Sequence, residues 1–202
     1  MRARDLMTAP VITVRPWTSA KEAAGLLAAH GFTALPVVDD DDRLVGIVTE
    51  ADLIRGRIPA DPRYVHEPVV STAGMSVGDL MTTPVTAMSS GADVADLCQA
   101  LVDARIRAMP IVDGSAVAGI VTRGDIVRVL ARDDVDIARD VRHRLEIYGG
   151  GGRWHVEVRE GFVHITDQFD DDSDRHVAQL LALAVPGVIA AETAYAGEEQ
   201  SR

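Results

Sequence analysis

Two short sequences of the form Thr-x-x-Asp carry the residues of this chain best suited to chemistry: Thr49 with Asp52, and Thr122 with Asp125. Each follows an apolar run and precedes a helical pattern, so each is expected where a buried strand ends and a helix begins. Unpaired backbone N–H groups and the helix dipole favour a phosphate at such a position. The threonine hydroxyl can donate a hydrogen bond to that phosphate, and the aspartate can accept both hydroxyls of a ribose.

The same pattern also has a structural interpretation. Thr-x-x-Asp resembles a capping box, in which two side chains satisfy the first backbone N–H groups of a helix. A single copy favours the capping box, whereas two copies in the same strand-to-helix context favour ligand binding.

The two Thr-x-x-Asp sequences belong to an internal repeat. Asp-Leu-Met-Thr-x-Pro-Val occurs at residues 5–11 and again at 79–85, a separation of 74 residues. The same separation relates Ala-Leu-Pro-Val-Val-Asp at 34–39 to Ala-Met-Pro-Ile-Val-Asp at 108–113. Gly-Ile-Val-Thr recurs after one residue is lost in the intervening turn. Three blocks in the same order establish the repeat.

Hydrophobic periodicity predicts the order β-α-β-β-α in each copy. In the first copy the predicted elements are a strand at 11–14, a helix over 20–29 capped at Thr18 or Ser19, strands at 35–38 and 44–48, and a helix from 49. In the second copy they are a strand near Val85, a helix over 93–104, strands at 109–112 and 117–121, and a helix over 123–131. A unit of about 50 residues buries little surface alone, so the two copies are expected to pack as one pseudo-symmetric body.

Met-Thr-x-Pro-Val, Leu/Met-Pro-Val/Ile-Val-Asp and Gly-Ile-Val-Thr-x-x-Asp together resemble the cystathionine-β-synthase (CBS) domain over about residues 5–130. Tandem pairs of this domain bind adenosyl ligands in many regulated enzymes and channels. The resemblance implies a pseudo-twofold pair with two clefts between the copies. It also implies a homodimer, because CBS pairs commonly associate into a flat disc. In each cleft the Thr-x-x-Asp of one copy would face the first strand and the pre-proline loop of the other.

Carried over by position, the resemblance assigns ten residues to the two clefts. One cleft would combine Thr49 and Asp52 with Thr86, Arg107 and Ala108, and the other would combine Thr122 and Asp125 with Ile12, Thr33 and Ala34. Small or apolar residues at 12, 34 and 108 would admit an adenine ring. The implied ligand is AMP, ADP or ATP, with S-adenosylmethionine and NAD as further candidates.

The two clefts are expected to differ. Arg107 stands where family members often hold a phosphate, and its counterpart in the first copy is Thr33. Arg123 lies inside the second Thr-x-x-Asp, where the first has Glu50. We therefore predict that the Asp52 cleft holds phosphates through Arg107. A solvated surface charge is the alternative interpretation of either arginine.

Composition excludes several classes of function. The net charge of −11 argues against nucleic-acid binding, which needs a concentrated basic face, and against attraction to anionic lipid. The single cysteine, Cys98, and the lack of an apolar signal sequence after the first residues favour the cytoplasm. The six histidines lack zinc-site spacing, and the acidic turn at 39–42 is typical of a solvated hairpin. No nucleophile converges with an acid–base pair, so we predict no metal site, no catalytic site and no enzyme.

The pattern after residue 133 changes to α-β-β-α-β. The segment 134–148 places Ile137, Val141, Leu145 and Tyr148 on one helical face. A hairpin that pairs 159 with 162 would put four apolar side chains on one side, Val156, Val158, Val163 and Ile165. The other side would carry His155, Glu157, His164 and Thr166. A helix capped by Ser173 and running through Ala184 would turn Val177, Leu180, Leu181 and Ala184 inward, before a last strand ending near Tyr195.

Glu160-Gly-Phe-Val-x-Ile and Val185-Pro-Gly-Val resemble the BON domain, named for bacterial osmotic-shock and nodulation proteins. Asp167 stands where that family usually has a glycine after the second strand. The family is often suggested to bind phospholipid or partner proteins. An acidic segment without a basic or aromatic patch favours a protein partner or self-association through the exposed face or edge of the sheet.

The predicted fold class is therefore α/β and α+β. It consists of two pseudo-symmetric βαββα repeats (1–55 and 76–131) joined by a connector (56–75), with a small αββαβ BON-like domain over 134–197. The predicted function is a cytoplasmic regulatory protein that binds an adenine nucleotide and uses the BON-like domain as its output. The alternative is a scaffold dimer whose clefts are vestigial and empty.

Overall fold

The computed structural model describes residues 1–55, 61, 63 and 74–199. They form two compact units, with a boundary between Arg123 and Gly124. We call the unit before the boundary the repeat unit and the one after it the C-terminal unit. Most of the predicted connector, 56–75, lies outside the described residues. No helix within the described ranges is long and apolar enough to cross a membrane.

The first copy of the repeat contains α1 (Ala20–His30), β1 (Ala34–Val38), β2 (Leu44–Thr49) and α2 (Glu50–Ile54). Ser19 caps α1 by accepting a hydrogen bond from the Glu22 N–H at 3.1 Å, and Gly31 ends the helix in the left-handed conformation, with φ of 66°. β1 and β2 are antiparallel, with Ala34 opposite Thr49.

The second copy contains β3 (Met88–Ser89), α3 (Val94–Asp103), β4 (Ala108–Asp113), β5 (Ala116–Thr122) and α4 (Arg123–Leu130). β4 lies between β3, which is parallel to it, and β5, which is antiparallel. The predicted strand near Val85 is thus two residues long and begins at Met88. Val85 itself packs on a small apolar cluster where strands of both copies meet, formed by Ala34, Ile47, Ala108 and Ile120.

The strand predicted at 11–14 was wrong. Only Val14 pairs there, through a parallel bridge to Val37. The chain turns immediately afterwards, because the Arg15 N–H donates to the Thr18 hydroxyl and the Thr18 N–H donates to the Arg15 carbonyl, both at 3.0 Å. Earlier in the chain, Thr8 instead pairs with Ile120 of the other copy.

The segment at the start of each copy, which we call its arm (residues 5–11 and 79–85), pairs with the other copy. Thr8 exchanges backbone hydrogen bonds of 2.9 and 3.2 Å with Ile120, and Thr82 does the same with Ile47 at 2.8 and 3.2 Å. Each arm carries a methionine that lies against a glycine of the other copy. A Cβ at Gly46 would come within 2.5 Å of Met81 Sδ, and one at Gly119 within 2.7 Å of Met7 Sδ. The repeated Met-Thr and Gly-Ile blocks are therefore the contacts that join the copies.

The C-terminal unit includes the part of α4 that follows Arg123. The rest of the unit has the element order α-β-β-α-β followed by a short helix: α5 (Asp134–Gly149), β6 (Trp154–Arg159), β7 (Phe162–Asp167), α6 (Asp172–Leu183), β8 (Ala190–Tyr195) and α7 (Ala196–Glu199). The predicted hairpin register is confirmed, with Arg159 opposite Phe162 and Val156 opposite Ile165. β8 is parallel to β7 and completes the sheet. Ile137, Val141 and Leu145 of α5 pack on its apolar side.

Several details of the C-terminal unit differ from expectation. Asp171, and not Ser173, caps α6, because its carboxylate accepts from the N–H groups of Ser173 and Asp174. The buried face of α6 carries Ala178 and Ala182, so Leu180, two residues from each, is turned to solvent and is 53% exposed. Two further residues also differ: Tyr148 is 43% exposed and Thr166 is buried.

Asp167 is fully buried at the end of β7. Its two carboxylate oxygens accept from Nε and Nη2 of Arg153, each at 2.8 Å. Arg153 also bonds Asp174 at 2.5 Å and lies 4.3 Å above the Trp154 ring. Burial disfavours the charged form of Asp167, but the hydrogen bonds from Arg153 and the Phe169 N–H outweigh it, so the pKa of Asp167 lies below its ordinary value.

Candidate functional site

A cavity of about 490 Å³ lies between the two copies within the repeat unit. The first copy contributes Thr33, Ala34, Ile47, Thr49, Glu50, Ala51 and Ile54 to its wall, and the second contributes Thr82, Arg105, Ile106, Arg107 and Ala108. The wall therefore combines two strand ends, the start of α2 and the loop before β4.

The floor of the cavity is small and apolar. Ala34 and Ala108 are each 6% exposed and belong to the cluster where strands of both copies meet. Each alanine is the first residue of its strand and lies opposite a threonine, Thr49 or Thr122. Because an alanine side chain extends little above the sheet, the floor leaves room for a flat group such as an aromatic ring.

Thr49 and Asp52 form the capping box that the sequence offered as one of two interpretations. The Thr49 N–H and hydroxyl both donate to Asp52 Oδ2, at 2.9 and 2.7 Å. The Asp52 N–H donates in return to Thr49 Oγ1 at 3.3 Å. Among the described residues, Thr49 lines the cavity whereas Asp52 does not.

Thr33, which directly precedes β1, also lines the cavity. Thr33 Oγ1 is buried and has no hydrogen-bond partner within the described part of the chain. The Thr33 carbonyl accepts from the Glu50 N–H at 3.1 Å, which holds Thr33 beside the start of α2. Since a buried hydroxyl without a partner is unfavourable, Thr33 is suited to a ligand that supplies one.

Arginine side chains lie at the exposed rim of the cavity. Arg105 and Arg107 both line it and are exposed, and Glu50 is the acidic residue of the lining. The Arg107 carbonyl accepts from the Arg123 N–H at 3.0 Å, the counterpart of the bond between Thr33 and Glu50. The rim thus has more positive than negative charge, in a chain whose net charge is −11.

The structure brings together five of the ten residues that the resemblance assigns, namely Thr33, Ala34, Thr49, Arg107 and Ala108. Thr33 and Ala34, assigned to the second cleft, line the same cavity as Thr49. Thr86 is exposed, and within the described ranges it lies outside the lining.

The remaining assigned residues have other surroundings. Ile12 packs on the core of the first copy. Thr122 ends β5, while Asp125, beyond the unit boundary, is 8% exposed and pairs with Arg128 at 2.9 Å. Arg123 donates from Nη2 to the Leu101 carbonyl at 2.7 Å, so its guanidinium holds the end of α3.

Sequence reasoning did not assign several other residues of the lining to the site: Ile47, Ala51, Ile54, Thr82, Arg105 and Ile106. Thr82 is the counterpart of Thr8 in the repeated arm, and its place follows only from the exchange of arms. The sequence did contain a signal for Arg105, because this arginine stands at the repeat position where the first copy has Gly31.

Among the described residues, no group of three or more histidine, cysteine or acidic side chains could hold a metal ion. Burial and the charge of Asp93 raise the pKa of the Cys98 thiol, which disfavours the reactive thiolate.

Comparison with known proteins gives a family and several relatives. The sequence model of the CBS domain matches residues 3–58 and 77–132. An uncharacterized protein of Methanocaldococcus jannaschii is 30% identical over 152 residues, which is 73% of this chain and 35% of the relative. The chloroplast CBS domain-containing protein CBSX2 of Arabidopsis thaliana is 33% identical over 134 residues, 57% of this chain and 56% of the relative. The chain thus spans about a third of the first relative and about half of the second.

Two solved structures carry the same fold with a ligand. The structure of CBSX2 in complex with AMP has a TM-score of 0.53 at 33% identity, covering 63% of this chain and 93% of the chain in that structure. The CBS domain pair of protein MJ0100, in complex with 5′-methylthioadenosine and S-adenosyl-L-methionine, has a TM-score of 0.54 at 28% identity. The match covers 64% of this chain and 94% of the solved CBS domain pair. The two matched segments, which together exceed half of the sequence, coincide with the two interlocked repeats, and the chain belongs to the CBS-domain family.

Proposed function

We propose that this protein is a cytoplasmic regulatory protein that binds an adenine nucleotide, AMP, ADP or ATP, between its two CBS repeats. The observation that carries the proposal is the cavity itself, because it combines an alanine floor with three threonines, Thr33, Thr49 and Thr82, and an arginine rim. CBSX2 with bound AMP, and MJ0100 with two adenosyl ligands, support the same ligand class.

Each part of a nucleotide has a suitable counterpart in the cavity. The adenine ring would lie on Ala34 and Ala108, and the phosphates would extend to Arg107 at the rim. The Thr49 hydroxyl would exchange its bond to Asp52 for one to a phosphate oxygen. Asp52 would then turn its carboxylate towards the ribose hydroxyls. In this proposal the capping box is the ligand-free arrangement of the same two side chains.

Ligand binding can influence the rest of the chain through the loop before β4. The Arg107 carbonyl holds the N–H of Arg123, the first residue of α4, and α4 continues past the unit boundary. A ligand that repositions Arg107 would therefore act on the start of α4. The effect requires that the ligand bind two arrangements of the repeats with different affinity.

The C-terminal unit is proposed as a BON-like output module that binds a protein partner. Its α-β-β-α-β order and the Glu160-Gly-Phe-Val-x-Ile sequence support this assignment. The sheet carries a second cavity, of about 580 Å³, whose lining includes Glu157, Phe162, His164 and Glu192. Phe162 is 56% exposed there, so its ring is accessible to a partner. Homodimerisation through the CBS pair is proposed on the resemblance alone.

The capping box also favours a second candidate function. Thr49 and Asp52 satisfy each other completely enough to need no ligand, as they would in a scaffold with vestigial clefts. Thermal unfolding with AMP, ADP, ATP, NAD and S-adenosylmethionine separates the two functions. A ligand at 100 times its Kd adds about 2.7 kcal/mol to the free energy of unfolding. The regulatory function predicts such a shift for an adenine nucleotide, and the scaffold predicts none.

A further inference from the structure

The turn between α3 and β4 differs chemically between the two copies of the repeat. Arg105 occupies this turn, and the residue 74 positions earlier, Gly31, occupies the corresponding turn of the first copy. Both adopt the left-handed conformation, with φ of 54° for Arg105 and 66° for Gly31. Glycine adopts this conformation freely, whereas an arginine does so under strain. The first copy thus has the relaxed residue, and the second keeps a long cation in its place.

Arg105 is also unusual among the residues in this conformation. The described part of the chain has three non-glycine residues with positive φ: Asp42, Arg105 and Glu160. Asp42 and Glu160 lie in hairpin turns, where positive φ is common. Arg105 instead lines the cavity between the repeats. Positive φ is also common just after a helix end, so what distinguishes Arg105 is that its long cationic side chain lines this cavity.

We infer that Arg105 makes this cavity selective for nucleotides with two or more phosphates; the inference rests on the proposed nucleotide site. Arg105 and Arg107 are separated by one residue in the loop before β4, and both line the cavity. Their counterparts in the first copy, Gly31 and Thr33, carry no charge. Arg107 adjoins the floor residue Ala108 and so serves the first phosphate. Arg105 lies two residues further from the floor and so serves the next phosphate along the ligand.

The charges of the candidate ligands then determine the order of their affinities for the cavity. Guanidinium groups bind phosphate oxygens through paired, charge-assisted hydrogen bonds. ADP and ATP can engage both arginines, and AMP can engage only one. Adenosine gains nothing from either, and S-adenosylmethionine brings a cationic sulfur to an already cationic rim. The cavity is thus a sensor of di- and triphosphates in preference to AMP, adenosine and S-adenosylmethionine.

Arg105→Gly tests this role, because glycine restores the residue of the first copy and relieves the backbone. The variant should keep or raise the Tm of the ligand-free protein. By isothermal titration calorimetry its Kd for ADP and ATP should rise about tenfold, the scale of one charge-assisted contact, while its Kd for AMP changes less than about twofold. The dependence of the ADP affinity on salt should also weaken. Arg105→Gln, which removes the charge and keeps the strain, should lose the same affinity.

Glu160→Gly is the matched control. It relieves a positive φ of 51° at an exposed residue of the C-terminal unit, and it should leave every nucleotide Kd unchanged. The inference is overturned if wild-type protein binds AMP as tightly as ADP, or if Arg105→Gly weakens AMP and ADP equally. Failure of the proposed function looks different, because the wild-type protein would then bind none of these nucleotides.

Discussion

At the scale of single residues, one hydroxyl group links the two interpretations of the Thr-x-x-Asp sequence. Thr49 Oγ1 accepts from the Asp52 N–H and donates to the Asp52 carboxylate, which is the arrangement of a helix cap. Thr49 also lines the cavity, where the same hydroxyl can reach a ligand. Replacing either residue changes both helix stability and binding, so neither substitution separates the two roles.

Thr33 allows the separation, because its buried hydroxyl has no partner within the described residues. Thr33→Val replaces that hydroxyl with a methyl group of similar size. Ligand-free stability should stay within about 0.5 kcal/mol of wild type or rise, since no hydrogen bond is lost. The Kd for ADP should rise about fivefold, equivalent to about 1 kcal/mol, if the hydroxyl bonds the ligand. Urea unfolding and calorimetry measure the two effects.

Thr18→Val is the control with the opposite result. The Thr18 hydroxyl accepts from the Arg15 N–H at 3.0 Å, so its loss should lower stability by about 1 kcal/mol and leave the Kd unchanged. A Thr33→Val protein that loses as much stability as Thr18→Val, with unchanged affinity, would show that Thr33 is structural.

At the scale of elements, the exchanged arms depend on two glycines that are not equivalent. A Cβ at Gly119 would lie 2.8 Å from Met7 Cγ and 2.9 Å from the Thr8 carbonyl oxygen, which is backbone. At Gly46 the severe contact is with the flexible Met81 Sδ, and the Thr82 carbonyl is 3.2 Å away. The arm on Gly119 therefore has less freedom to adapt.

We expect Gly119→Ala to lower the free energy of unfolding by about 2–3 kcal/mol, and Gly46→Ala by about 1 kcal/mol, as measured by urea unfolding. Gly25→Ala in α1 is the control. A Cβ at Gly25 meets nothing within 4 Å, so this variant should gain about 0.5–1 kcal/mol from helix propensity.

A methionine substitution added to each glycine variant identifies the atoms that the new Cβ meets. Met81→Ala should restore most of the stability lost in Gly46→Ala, because the methionine is the main obstacle there. Met7→Ala should restore only part of the loss in Gly119→Ala, since the Thr8 carbonyl remains. Equal losses at Gly46 and Gly119, or full rescue at both, would contradict this description of the arms.

Local pattern was sufficient to predict the elements that each copy forms from its own residues. The helices α1 and α3, the β1–β2 hairpin and the register of β6 with β7 follow from periodicity and turn residues. The arms could not be predicted in this way, because Thr8 pairs with Ile120, more than a hundred residues away. The α6 cap was missed because Asp170, Asp171 and Asp172 are all suitable caps by residue type, and only geometry selects Asp171.

The residues of the cavity also show the difference between what local pattern predicts and what contacts between distant residues decide. The family resemblance assigned Thr49, Ala34 and Ala108 to the clefts, and all three line one cavity. It assigned Thr33 and Ala34 to a different cleft from Thr49, because the family pattern pairs residues across copies. The backbone bond from Glu50 to Thr33 brings them together within one copy.

At the scale of the whole molecule, the C-terminal unit has its own electrostatic centre, in which Arg153 bonds Asp167 and Asp174. Hydrogen bonds from Tyr148 and Arg153 lower the pKa of Asp174, and the pKa of Asp167 is lowered as well. Carboxylates with lowered pKa values stabilise the fold above their unfolded-state pKa. This stabilisation is lost as the pH falls through their folded-state values, below the ordinary 3.8.

We therefore expect the C-terminal unit to be stable above about pH 5 and to lose stability progressively in more acidic solution. The chain has two tryptophans, and Trp154 lies in this unit. In a Trp17→Phe background, the fluorescence of Trp154 reports urea unfolding of the C-terminal unit at each pH.

Asp167→Asn in the same background should lower stability at pH 7 by about 2 kcal/mol, because Arg153 loses its buried partner, and should flatten the acid dependence. Asp103→Asn is the control, since Asp103 is exposed on α3 and should leave the pH dependence of Trp154 unfolding as it is. An unaltered acid dependence in Asp167→Asn would show that other groups govern it.

The most direct test of nucleotide binding between the repeats is a calorimetric titration of ADP into wild-type protein and into Arg107→Ala. Arg107 lines the cavity and is exposed, so its replacement should leave the Tm of the ligand-free protein nearly unchanged. We predict saturable binding by the wild type and a Kd about tenfold higher in Arg107→Ala, the effect of one charge-assisted phosphate contact. The central claim is contradicted if the wild type shows no saturable binding of ADP, or if Arg107→Ala binds it equally well.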